Sequence, residues 1–473
     1  MRNAALLVAT ALPLACASVS DHPRPENLAL QPRPQAAVAR SVALNHVRLE
    51  LELDLVGQRL GGKVTCWVVA LGRGATQVRL TGSTQGVREV LDARGRSLEF
   101  ASSGSDGGLL VQLADPLAAG EELPLSVNFN QQSVPGLLFG ETPRGPGWTP
   151  WVVAGPAAAA SAAWFPLIEG EQACASFEAE VRVGHGAQVF LGGLPRSSQA
   201  ITGAIEGTHL YRFDSSQPLH VQRLGLVAGR FTAAGAGPIA SRVLAVTGTP
   251  EKTLSALVEA LARREWGLEL SLSVEGGQAL PDLPPVLVCI PDARGQRLGT
   301  LGCVTLSPSL VKRLVRGDAS PGLDPLALAL ARGRVVGRHA STRPSEAWLL
   351  EAIAAHLALQ SVGGAEDRQR ALNALAPDPL LWREQTIAQL PLRNRSNVAS
   401  ESVAARGALL LHTIELQVTS SALRACLYAL LRDRQGVDLG EADLLRSFSE
   451  VDGRDLAPLL NRLLSEYGNQ ELL

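Results

Sequence analysis

A chain of 473 residues with 46% hydrophobic and 19% charged content can bury a large core divided among two to four domains, which argues against a disordered or fibrous protein. Its 43 basic and 45 acidic residues leave a formal charge of -2 with no Lys/Arg-rich run, which argues against nucleic acid as a partner. Aromatic residues make up 4% and there is one Met, so small and aliphatic side chains must build the core.

At the start of the chain, Arg2, the apolar stretch from Ala4 to Leu14 and the small residues after it read as an export signal over residues 1–17, too short to span a bilayer. The mature protein is then expected outside the cytoplasm, periplasmic or extracellular. Two processing routes stay open. Ala15-Cys16-Ala17 fits a small-x-small cleavage site, while Leu14-Ala15-Cys16 resembles a lipobox whose Cys16 becomes lipidated, with Pro13 where a lipobox prefers Leu. No later stretch of eighteen apolar residues occurs, so a membrane would be reached only through a lipid on Cys16. Residues 18–40, with Pro23, Pro25, Pro32 and Pro34 among polar neighbours, read as an extended tether.

From 41 to 235 the signals are for strands. Val47, Leu49, Leu51, Leu53 and Leu55 alternate, Gly61-Gly62 is expected to turn the chain before a strand over Val64–Ala70, and Gly104–Gly108 is expected to close a hairpin. Beyond 236 the period changes, with Leu254, Leu257, Val258 and Leu261 forming one helical stripe. Pro285–Ile290 reads as a buried strand, Leu323–Val336 as a helix, and Pro344 to Gln360 as another, with Gly363-Gly364 as its stop. The end is helical, with stripes at Leu423, Cys426, Leu427, Leu430 and Leu431 and again from Leu456 to Tyr467. Cys66, Cys174, Cys289, Cys303 and Cys426 lack C-x-x-C spacing, which argues against a zinc cluster and leaves any disulfide pairing open.

Several segments, in order, resemble aminopeptidase N-type zinc metallopeptidases. Trp164-Phe165-Pro166 and Ala175-Ser176-Phe177-Glu178 resemble that family's W-F-P and K-A-x-F; Leu191-Gly192-Gly193 and Leu226–Phe231 resemble the strand ends of its β domain. Gly302–Leu306, Trp348-Leu349-Leu350-Glu351-Ala352 and Gly407–Leu411 resemble the strand after G-x-M-E-N, the W-L-x-E-G and the G-A-x-x-L. The resemblance implies a multi-domain α+β architecture: an N-terminal all-β domain over 41–235, a thermolysin-like α/β domain over 236–395, and a helical C-terminal lobe over 396–473. It also implies a cleft between them.

The chemistry of that family is missing. A gluzincin site needs two histidines at i and i+4, a glutamate beside the first to take a proton from water, and a third ligand on the next helix. No histidine here is followed by Glu, and H-E-x-x-H does not occur. Counting back from Gly337, taken as the glycine closing the motif, places the three positions at Ala329, Leu330 and Gly333. Glu351 matches the third ligand, with seventeen residues between it and Gly333 where the family has about eighteen, so this frame needs a one-residue gap. The amino-terminus-gripping glutamate falls on Gly299 and the oxyanion-stabilising tyrosine on Ala404, a donor typically worth ~2.7–4 kcal/mol.

Zinc is therefore expected to be absent, and the remnant cleft to hold Glu351, Trp348, Arg332 and Arg334. Glu351 is expected to pair with Arg332, Arg334 or Arg338 in place of the metal charge. Glu351, His356 and His339 form an alternative metal set, and His412 reads as buried structure. The resulting expectation is an exported, non-catalytic peptide- or protein-binding member of the family. The alternatives are an active metallopeptidase with an atypical metal site and a structural subunit of an envelope complex. No G-x-S-x-G, Walker loop or G-x-G-x-x-G is present.

Overall fold

The computed structural model describes residues 41–465, apart from 72–74, 104–107, 133, 135, 145–146, 155–163, 169–173, 185, 202–206, 247–248, 274–284, 291–300, 318–321, 342–345, 347, 362–363, 376–396 and 435–437. The signal and tether of residues 1–40, with Cys16, lie outside the described residues, as do Gly299, Pro344, Gly363, Tyr467 and the hairpin tip at 104–107.

Alternation of apolar and polar side chains in the first half produces three sheets. One contains β1 (Val42–Asp54), β2 (Arg59–Ala70), β4 (Val87–Leu91), β7 (Glu122–Gln132), β11 (Cys174–Val183), β13 (Ser197–Ala200) and β14 (His209–His220), in the spatial order 13-14-11-1-2-7-4. The second contains β3 (Ala75–Gly82), β5 (Phe100–Ser102), β6 (Leu109–Leu117) and β10 (Pro166–Ile168). The third contains β8 (Leu137–Arg144), β9 (Gly147–Ala154), β12 (Gln188–Leu191) and β15 (Leu226–Gly229). Val47, Leu49, Leu51 and Leu53 of β1 face one apolar core with Leu80 of β3 and Leu167 of β10, while Arg48, Glu50 and Glu52 face outward.

The expected turn at Gly61-Gly62 is not where the chain reverses. Leu55–Gln58 make the turn, with Gln58 at φ 50°, and both glycines lie inside β2. Gly62 is needed there for close approach: its φ is 138°, and an added Cβ would fall 2.0 Å from the Glu50 carbonyl oxygen.

A fourth sheet carries β16 (Phe231–Ala233), β17 (Val243–Val246), β18 (Val286–Cys289) and β19 (Cys303–Leu306), with β17, β18 and β19 parallel. Around it are α1 (Glu251–Leu272), α2 (Pro308–Arg316), α3 (Pro325–Val335), α4 (Trp348–Ser361) and α5 (Ala365–Leu375). They are followed by α6 (Asn397–Val418), α7 (Ser420–Asp433), α8 (Glu441–Val451) and α9 (Ala457–Ser465). A short parallel pair, β20 (Ala340–Ser341) and β21 (Asp438–Leu439), joins the ends of α3 and α7. Most of α4 is apolar on every side and buried, as expected for a helix at the centre of a lobe. Among the described residues no helix is long and apolar enough to cross a membrane.

The β domain meets the helical lobe through a small core of its own, in which Trp151, Val153, Phe190 and Val227 touch Leu244, Val286, Val288 and Cys303. Segments that resemble the peptidase family converge at this seam. The Trp164 indole donates to the Leu224 carbonyl at 2.9 Å, Gly225 donates to Leu301 at 2.9 Å, and Leu301 donates to Arg223 at 2.7 Å. Gly302, at φ 76°, lies against Gly192 so closely that a Cβ would fall 1.9 Å from the Gly192 carbonyl carbon. The five described cysteines are free; burial pushes the thiols of Cys66, Cys289, Cys303 and Cys426 up to about 12, so they behave as inert packing groups.

Candidate functional site

Two helices set the site. Asp324 caps α3 by accepting from the Ala327 amide at 2.9 Å, and Arg264 of α1 holds that carboxylate at 2.8 Å, which fixes where α3 begins. At the other side, the fully buried Trp348 donates to Glu441 of α8 at 2.9 Å and fixes the start of α4. Trp348 therefore serves as an anchor inside the lobe rather than as a surface of the cleft.

Glu351 is an ionisable group in a helix otherwise surrounded by aliphatic side chains, a position that requires a counter-charge. Of the three arginines expected as partners, Arg332 provides it: its Nε donates to Glu351 Oε2 at 2.8 Å, and both side chains are mostly buried. Arg334 lies 3.8 Å from Glu269 of α1, and Arg338 donates to Gln217 of β14 at 3.0 Å. The contact defines a frame of its own. Arg332 and Glu351 are nineteen positions apart, so eighteen residues intervene and no gap is needed. Counted from this contact, the family's histidine, glutamate and histidine would fall on Leu328, Ala329 and Arg332; counted from Gly337 they fall on Ala329, Leu330 and Gly333.

The remaining candidates disperse. His339 donates to the Arg434 carbonyl at 3.1 Å, and burial holds its imidazole down at about 4. His356 is buried beside Glu415 and His412 of α6, and burial, opposed by the Glu415 charge, holds it also at about 4. Glu351, His356 and His339 thus point into three different surroundings, and no group of three His, Cys, Asp or Glu among the described residues could hold a metal. Ala404 is fully buried in the core of the lobe. Gly333 leaves space: an added Cβ would meet no atom within 4 Å.

Glu415, missed in the sequence, is a buried carboxylate of the lobe with several partners. It accepts from Gln360 at 3.1 Å, Ser420 at 2.6 Å and His412 at 3.1 Å. Burial alone would raise its carboxyl, but the hydrogen bonds from His412 and Ser420 and the neighbouring His356 bring it down to about 2. Nothing in its spacing distinguishes it from a solvated helix residue.

Neither a protein-family model nor a curated protein matches the sequence. Solved structures do. Yeast LTA4 hydrolase superposes with a TM-score of 0.71 at 16% identity, covering 91% of this chain and 68% of that one. An M1 zinc metallopeptidase from Deinococcus radiodurans gives 0.64 at 20% identity, covering 90% and 94%, and a two-domain M1 zinc metallopeptidase bound to L-arginine gives 0.66 at 18% identity, covering 93% and 97%. The chain has the fold of the M1 zinc metallopeptidases. The resemblance to zinc metallopeptidases of this type, and the α+β architecture it implied, are borne out at the level of the fold.

Zinc in an M1 fold takes nitrogen and carboxylate ligands in a tetrahedral set. The residues here do not fit it. In either frame the helix positions carry Ala, Leu, Gly or Arg, and the one carboxylate is engaged by a guanidinium that cannot give up its proton.

Proposed function

We propose that this is an exported M1-fold pseudopeptidase of the cell envelope that binds a peptide or protein in its remnant cleft without cutting it. The observation that carries the reading is the Arg332–Glu351 ion pair. A guanidinium sits on the carboxylate that the fold offers to a metal, replacing a divalent charge by a fixed monovalent one. Hydrolysis on this fold requires a metal-activated water and a base beside it, and Leu328, Ala329 and Leu330 offer neither. A scaffold stripped of reacting groups retains shape, and recognition is what shape alone can supply. Export rests on Arg2 and the apolar run before Cys16, with a lipid on Cys16 as the route to a membrane surface.

The test uses Tyr-Ser-Ala, named as the substrate bound to the Deinococcus radiodurans metallopeptidase. Titration should show saturable binding, and prolonged incubation with added zinc should leave the tripeptide intact. Chelator-sensitive release of tyrosine would end the pseudopeptidase reading.

A further inference from the structure

The outer face of the seven-stranded sheet holds a cavity of about 540 Å³ that is lined wholly by the β domain. Two irregularities in the sheet create it. Asn45 is an extra residue in β1, breaking its register with β2 between Leu44 and His46. On the other flank, β14 carries extra residues opposite β11, between the pairs Ala175–Leu219 and Phe177–Ser215. Bulges bend a strand locally and re-aim its side chains, and these two border the same hollow.

His46 lines it, opposite Trp67 on β2 and Ser176 on β11. The Trp67 ring meets the imidazole edge-on, with centroids 5.0 Å apart and planes at 67°, while His46 Nδ1 is hydrogen-bonded to Ser176 Oγ at 2.8 Å. The indole is thereby propped, half-buried, with its remaining surface in the hollow. Around it the ionic groups are tied to one another. Asn45 donates to Glu122 at 2.7 Å, Arg212 to Glu180 at 2.9 Å and Arg196 to Asp214 at 2.6 Å. The lining holds three arginines against four carboxylates, and burial lowers His46 toward its neutral form.

This balance selects among ligands. A wall without surplus positive charge has no hold on a phosphate or a polyanion, and one without a large negative surplus does not gather cations. Planar hydrogen-bonding groups around a propped indole instead complement a ring with an apolar C–H face and neutral hydroxyls at its edge. We propose that the cavity is a saccharide-binding site, with Trp67 as the stacking platform and Glu122, Ser176 and Arg212 as hydrogen-bonding partners of the sugar hydroxyls. The site is separate from the Arg332–Glu351 pair of α3 and α4, so it stands whatever the rest of the molecule binds.

The experiment is calorimetric titration of the full chain with cellotriose, maltotriose and triacetylchitotriose, repeated on Trp67→Ala, Trp67→Phe and Arg212→Gln. At least one sugar should bind with a Kd of ~1 mM or tighter. Trp67→Ala should weaken it by about tenfold or more, the loss of a stacking contact; Trp67→Phe should retain part of the affinity. Arg212→Gln, at a partly exposed position, serves if Trp67→Ala fails to fold, and should also weaken binding. Failure of all three sugars to bind, or binding indifferent to both Trp67→Ala and Arg212→Gln, would overturn the proposal. So would Trp67-dependent binding of trialanine in their place.

Discussion

On the outer face of the β domain, Arg182 and Glu52 stand 56% and 70% exposed and 3.3 Å apart, one rung of a ladder that includes Arg212–Glu180 and Lys63–Glu50. In the helical lobe, Arg242 and Glu265 are 7% and 12% exposed and share two hydrogen bonds of 2.6 Å. The sheet can afford loose pairs because water screens each partner alone. The lobe cannot: Arg242–Glu265, Arg264–Asp324 and Arg332–Glu351 each commit a buried charge to one partner, and these pairs fix where α1, α3 and α4 sit. The Arg332–Glu351 pair belongs to this second class, which is why it reads as part of the architecture.

The comparison is broken most strongly at Arg242. Arg242→Ala strands Glu265 and the Pro285 carbonyl that the guanidinium also serves, and should cost ~3–5 kcal/mol in denaturant unfolding. At the remnant site, Glu351→Leu or Arg332→Leu alone should each cost about 2–3 kcal/mol, because each leaves a mostly buried charge unpaired. Arg332→Leu combined with Glu351→Leu should recover most of that loss, since an apolar pair of similar volume replaces an ion pair at little cost. Equal losses in single and double variants would show that the pair does not act as a unit.

Acid sharpens the contrast next. His339 and His356 are held at about 4, below the ordinary 6.5. Between those values the unfolded chain binds more protons than the folded one, so stability is complete above 6.5 and falls as pH drops toward 4. Each histidine should cost about 2 kcal/mol on moving from neutral pH to pH 5, with the His356→Gln variant losing its share of the dependence. Amide exchange should place this loss in the helical lobe. The smallest effect belongs to the ladder: Arg182→Ala should change stability by less than ~0.5 kcal/mol, and high salt should erase the change.

The strands were legible because one buried face and one wet face impose a period of two on β1, and α1 because Leu254, Leu257 and Leu261 follow the helical period. Alternation also misled: it cannot separate a turn from a glycine that admits a neighbouring strand, as at Gly62. The short α2 escaped notice although Ser307 caps it and Gly317 closes it. At the site, Glu351 stood out in sequence because Trp348-Leu349-Leu350-Glu351-Ala352 resembles the family's W-L-x-E-G. Its partner did not, because three arginines lie within seven residues and only side-chain direction on α3 singles out Arg332. The saccharide cavity was hidden for a related reason. His46, Trp67 and Ser176 each read as ordinary outward residues of a strand, and the bulges that bring them around one hollow have no sequence spacing of their own.

The most direct test of the pseudopeptidase account is the zinc content of the purified full chain, measured by mass spectrometry together with aminopeptidase turnover. The account predicts zinc far below one atom per chain and no turnover above the blank, even with zinc supplied. One tightly held zinc per chain, with activity that disappears on chelation and in Glu351→Gln, would contradict it.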